Sequence, residues 1–222
     1  MIISLGGFLI AYENVYEYKI RFKIKNVISL DGIKELSQKE NDAYHIIFNG
    51  KNSMLNAELN QEAEFKYLNA KIFPQYYSQK IKVPLRGELN QKIKYDFKNQ
   101  KIVSTGDVNW VIDFLGKPIP LDPLSSAFQI RENVKKGLLS FDINLVKLDE
   151  GITYKSSYSV VGEEVLEIKD IKYHCIILER TSNDRKTLYY FAKTLDFILI
   201  KVSDDRKGRK LSIEAEKILS FG

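Results

Sequence analysis

The chain of 222 residues, with 44% hydrophobic and 28% charged residues, is long enough to bury a substantial core in one all-β domain or two small ones. Its net charge of +5 is spread along the length rather than gathered into a basic stripe, which argues against nucleic acid as a partner, although weak contact with an anionic membrane surface remains compatible with it. The single cysteine, Cys175, excludes an intramolecular disulfide framework.

The first eleven residues, MIISLGGFLIA, form an uninterrupted run of apolar and small residues. The run has the length of a signal-peptide core but no preceding positive segment. The alternative is a buried first strand, which Gly6 and Gly7 would weaken. Residues 1–11 are therefore expected to be a truncated signal peptide or a first strand, with 12–222 as a single domain. No apolar run reaches the ~20 residues that a membrane-spanning helix needs.

In YEYKIRFKI, Tyr16, Tyr18, Ile20, Phe22 and Ile24 alternate with Glu17, Lys19, Arg21 and Lys23, which predicts a strand with one wet face. AYHIIFNG repeats the pattern with Tyr44, Ile46 and Phe48. MLNAELNQEAEFKYLNAKIFP, PQYYSQKIKVPL, ELNQKIKYDF and KIVSTGDVNWVIDF read as further strands. After residue 137 come LLSFDINLVKL, GITYKSSYSVVG, EEVLEI, YHCIILER, KTLYYFAK, FILIKV and KLSIEAEKIL. Turn residues mark their joints at 149–151, 182–184 and 204–208. The turn DRKGRK is expected to be solvated. Strands so closely spaced pair antiparallel, since parallel pairing needs long crossovers.

The exception is DPLSSAFQIRENVKKG. Asp122 suits a helix N-cap, Pro123 the first helical position and Gly137 the C-terminal stop, while Lys135 and Lys136 complement the helix dipole. Leu124, Ala127, Phe128, Ile130 and Val134 form one apolar arc, with Ser125, Glu132 and Lys136 outside it. Arg131 falls inside the arc. A buried guanidinium requires a partner, so it either ties the helix to a sheet carboxylate or strand carbonyls, or it faces a ligand together with Phe128 and Leu124. The expected fold is mainly β: a large, curved, mostly antiparallel sheet of about ten strands, a half-barrel wrapped around one main helix.

Chemistry-bearing constellations are scarce. His174 and Cys175 are strand neighbours whose side chains diverge, and both are expected to serve core or cross-strand packing. His45 and His174 alone yield no metal-ligand spacing. The paired acids Glu163–Glu164 and Asp204–Asp205 diverge or sit at turns. No catalytic residue, metal or cofactor is assigned, and enzymatic activity is not expected.

YEYKIRFKI, FPQYYSQK, PLDPLSSAFQIRENVKKG, YSVVGEEVLEI and YYFAKTLDFILIKV, in that order, resemble the exported bacterial family known as domain of unknown function number 3108. That family is similar in outline to the periplasmic lipoprotein-sorting carriers, whose curved sheet wraps a helix. The resemblance implies export to the periplasm of a Gram-negative bacterium and an apolar or amphipathic ligand. It brings no catalytic residues. The alternatives are a cell-envelope assembly protein that binds another protein and, less favoured, an envelope hydrolase. A continuous apolar cavity between helix and sheet would favour the carrier; a solid core with an exposed apolar patch would favour the assembly role.

Overall fold

The computed structural model describes residues 16–25, 29–40, 42–182 and 185–222. The segment 1–11 and part of the 182–184 turn lie outside the described residues. Fourteen strands form one antiparallel sheet. In chain order they are β1 (Tyr18–Lys25), β2 (Leu30–Gln38), β3 (Ala43–Asn52), β4 (Ala57–Leu68), β5 (Lys71–Val83), β6 (Gly87–Asp96), β7 (Lys101–Gly106) and β8 (Trp110–Asp113). Helix α1 (Pro123–Lys135) follows, then β9 (Ser140–Lys147), β10 (Ile152–Ile168), β11 (Ile171–Ser182), β12 (Arg185–Ala192), β13 (Ile198–Arg206) and β14 (Arg209–Phe221).

The topology is two meanders joined at their inner ends. The first runs β8 to β1, the second β14 to β9, and β1 pairs with β14 in the middle. The two edge strands, β8 and β9, are thus neighbours in sequence, and α1 connects them. The sheet is curved but not closed into a barrel, because β8 and β9 do not pair. They are drawn together instead by smaller contacts. Leu121 makes a single parallel bridge to β9, with its N–H on the Asn144 carbonyl at 2.9 Å and its carbonyl accepting from Val146 N–H at 3.0 Å. Trp110 Nε1 and Gln91 Nε2 both donate to the carbonyl of Leu148, each at 2.8 Å.

Alternation sets the core. Tyr18, Ile20, Phe22 and Ile24 of β1 are buried, while the residues between them are exposed or half-buried. Helix α1 is enclosed by the curved sheet. Phe128 packs on Phe65, Tyr67 and Tyr44 with ring centroids 4.8, 5.3 and 5.8 Å away. Burying such rings contributes roughly 1.5–3 kcal/mol per side chain.

The structure corrects several expectations. Among the described residues there are fourteen strands rather than about ten. Strand β2 escapes the pattern because Asp31-Gly32 reads as a turn; yet Gly32 is required there, since a Cβ would meet Phe48 Cζ at 2.8 Å. The β4–β5 boundary falls at Asn69-Ala70, before Pro74 rather than after it. A register shift opposite Glu64 and Phe65 accommodates Pro74, which cannot donate to the ladder. GITYKSSYSVVG and EEVLEI are one strand, β10, carrying an irregularity at Gly162, and KIVSTGDVNWVIDF is two strands. Asp204 lies within β13 and is buried rather than in a solvated turn. Ser125 and Glu132 are fully buried, so α1 is covered well beyond one arc. His174 is exposed rather than packed.

Candidate functional site

Between the start of α1 and the middle of the sheet lies an open cavity of about 150 Å³. Its walls are Phe22 and Ile24 of β1, Lys34 of β2, Phe48 of β3, Leu59 and Gln61 of β4, Leu199 and Val202 of β13, and Ile213 of β14, with Leu124 reaching in from α1. The lining is apolar apart from Lys34 and Gln61. The β1–β14 pairing places both meanders around this one space.

A chain of buried polar groups runs from the cavity wall toward the sheet edge. Gln61 Nε2 donates to the Tyr77 hydroxyl at 3.0 Å, which donates to Gln79 Oε1 at 3.1 Å. Gln79 Nε2 donates to Gln91 Oε1, and Gln91 Nε2 to Ser104 Oγ, both at 2.8 Å. Ser104 Oγ closes the run on the Val108 carbonyl at 2.6 Å. Burial raises the pKa of the Tyr77 hydroxyl and the Asp122 charge adds to the rise, outweighing the hydrogen bond from Gln61; the phenol stays protonated and holds its place in the chain. Such satisfied networks fix geometry.

Asp122 caps α1, its Oδ1 accepting from Leu124 N–H at 3.0 Å and Ser125 N–H at 2.9 Å while Oδ2 accepts from Ser125 Oγ at 2.6 Å. Burial pushes its carboxyl up to about 6, against the lowering effect of those hydrogen bonds. Pro123 occupies the first helical turn. At the other end, Gly137 takes φ +74 and donates to the Val134 carbonyl at 2.9 Å.

Of the three residues expected to face a ligand, Leu124 lines the cavity. Phe128 is held in its aromatic cluster. Arg131 points elsewhere: only 3% exposed, it donates through Nε to the Asp196 carbonyl at 2.9 Å and through Nη2 to Asp196 Oδ2 at 2.5 Å. Its guanidinium carbon lies 5.8 Å from the ring centroids of both Tyr18 and Phe128. Asp196 also receives Lys135, whose Nζ is 2.8 Å from Oδ1.

Asp204 forms a second enclosed ionic group, accepting from Arg185 Nε at 2.6 Å and Thr187 Oγ1 at 2.5 Å. Burial works to raise its pKa. The hydrogen bonds from Arg185 and Thr187, with the charges of Arg185 and Arg180, together outweigh it and hold the carboxyl below its ordinary value. Cys175 is fully buried, and burial pushes its thiol up to about 11, which makes it a poor nucleophile. On the outward face, strand pairing sets His45 opposite Glu64 with Glu62 alongside; one ligand atom from each lies within 4.8 Å of the others. The sequence spacing conceals this grouping because it is made across β3 and β4. All three of its groups are already engaged, with His45 Nε2 2.8 Å from Glu62 Oε1 and Lys39 Nζ 2.7 Å from Glu64 Oε1. A larger outward hollow of about 1030 Å³ is lined largely by charged and amide groups such as Arg21, Glu35, Asn49 and Asn60, unlike the apolar interior cavity.

A curved antiparallel sheet, open along one seam and enclosing helix α1 above a small apolar cavity, defines a barrel-like β protein. The family model described as "Protein of unknown function (DUF3108)" matches residues 15–215, and the chain belongs to that family. Its fold is similar to the crystal structure of a beta-barrel-like protein of domain of unknown function DUF1849 from Brucella abortus, with a TM-score of 0.60 at 9% identity over 92% of this chain and 98% of that one. A DUF1329 family protein from Desulfovibrio piger aligns over 91% of this chain and 83% of its own with a TM-score of 0.29 and 12% identity, too low to argue from. No curated protein matches the chain.

Proposed function

We propose that the protein binds an apolar or amphipathic ligand non-enzymatically, as a carrier or chaperone-like protein of the periplasm. The single observation that carries the binding reading is the cavity beneath Leu124, whose walls are drawn from both meanders and from α1. A fully packed interior would leave no such space. The periplasmic assignment rests on the apolar run at residues 1–11 and on the resemblance to an exported family. Native mass spectrometry of the protein purified from its own envelope tests the reading. A co-purified lipid or other amphiphile is expected; a stoichiometric protein partner without one would overturn it. Separating periplasmic from cytosolic fractions tests location, and retention of the full-length chain in the cytosol would refute it.

A second reading, an envelope assembly protein, is favoured by apolar side chains exposed at and beside the edge strands: Val111 is 60% exposed, Leu139 74% and Ile152 50%. Exposed sheet edges accept partner strands.

A further inference from the structure

Lys34 is an anomaly of the strand pattern. It lies opposite Ile20 on β1 and Phe48 on β3, on the face that also carries Phe22, Leu36 and Ile46. The buried charges Arg131 and Asp204 have counter-charges in Asp196 and Arg185, and the buried carboxylates Asp122 and Glu132 accept hydrogen bonds. Several outward lysines are matched too, as Lys19 is with Glu35. Among the described residues Lys34 makes no hydrogen bond or ion pair, and it lines the apolar cavity together with Leu124 and Leu59. Lys34 is half-buried, and nothing in the packing requires a cation on this apolar wall.

We propose that Lys34 anchors the anionic head of a single-chain amphiphile, an alkyl carboxylate in the simplest case, whose chain enters the cavity. This deepens the binding reading above and rests on it. The size of the space limits the ligand. An open, apolar cavity of about 150 Å³ has room for a group on the scale of benzene, hence the end of one alkyl chain rather than the two chains of a phospholipid. The charge limits the head. An ammonium is a compact point charge that pairs with a monoanion without needing the forked geometry of a guanidinium. Gln61, on the same wall, offers a second polar contact, and its own amide is already oriented by donation to Tyr77.

Isothermal titration of the purified, delipidated protein with octanoate and with neutral 1-octanol tests this, on the native chain and on Lys34→Met and Lys34→Arg. Octanoate should bind more tightly than octanol. Lys34→Met should weaken octanoate by about tenfold or more while leaving octanol unchanged, since one charge-assisted contact is lost. Lys34→Arg should retain most of the octanoate affinity. Lys34→Met removes an uncompensated charge, so its thermal midpoint should equal or exceed that of the native chain, which keeps the comparison free of misfolding. Equal binding of octanoate and octanol, insensitive to Lys34→Met, would overturn the head-group assignment and leave the apolar site standing. Binding of neither probe would remove the apolar site itself, and the assignment with it.

Discussion

Arg131 and Asp196, 65 residues apart in the chain, join the back half of α1 to the turn between β12 and β13 through two hydrogen bonds to one residue, one to the carbonyl and one to the carboxylate. Asp196 holds a left-handed backbone, φ +47, which aspartate and asparagine tolerate. Asp196→Asn therefore removes the charge and keeps the turn. It leaves Arg131 buried with only a neutral partner, and should cost about 3–5 kcal/mol. Arg131→Met should cost less, because Lys135 still neutralises Asp196. Urea unfolding measures both. The double variant should cost less than the sum of the two. Additivity would mean that the pair does not act as a unit, and equal single losses that Lys135 does not compensate Asp196.

Asp122 gives stability a distinctive pH dependence. Its carboxyl is raised from 3.8 to about 6 by burial, so the fold holds that proton more tightly than the unfolded chain does. The associated stability is fully present below about pH 4 and lost as pH rises through about 6, by up to about 3 kcal/mol. Asp204, with its lowered carboxyl, acts in the opposite sense and loses its contribution as pH falls. Comparison with Asp122→Asn isolates the first effect, since asparagine also caps helices. The stability of the asparagine variant relative to the native chain should rise between pH 4 and 7. A constant difference across that range would contradict the assignment.

The legible parts of this molecule were those governed by local periodicity and end chemistry. Alternation in β1 and β3, and the Asp122-Pro123 and Gly137 boundaries of α1, depend on neighbours in sequence. The illegible parts depend on pairing at a distance. Gly32 breaks a strand pattern locally and is needed only because Phe48 crosses it. Register shifts near Gly162 and at Tyr190–Phe191, and the burial of both Cys175 and Leu178, three residues apart on β11, depart from strict alternation. Lys34 drew no notice because its strand was not recognised. The arginine on the apolar arc was conspicuous, but its partner, in a turn between two later strands, was not.

The buried thiol offers a probe of the core. Cys175 is fully enclosed, its Sγ lies 3.4 Å from the Tyr173 carbonyl and its pKa is raised to about 11. Only the thiolate reacts appreciably. Iodoacetamide at neutral pH should leave the folded protein unlabelled and modify the unfolded chain fully, as read by intact mass. Rapid labelling under native conditions would show that β11 opens locally, well below the global unfolding free energy.

The seam between the sheet edges can be tested at Gly151. This residue follows the Leu148 carbonyl that receives both Trp110 and Gln91, and it lies beneath the Trp110 ring. An added Cβ would fall 2.4 Å from Trp110 Cγ, at a backbone φ of +65 that L side chains rarely adopt. Gly151→Ala must therefore displace the indole or the turn. Backbone strain alone contributes about 1–2 kcal/mol, and loss of the indole N–H bond adds about 1 kcal/mol. Trp110 is the single tryptophan, so its emission reports on the seam directly. Gly151→Ala should shift emission to longer wavelength and lower the thermal midpoint together. Since β8 and β9 share no strand ladder, these contacts carry much of the closure, and a variant with unchanged emission and midpoint would mean that the parallel bridge at Leu121 holds the edges together without them.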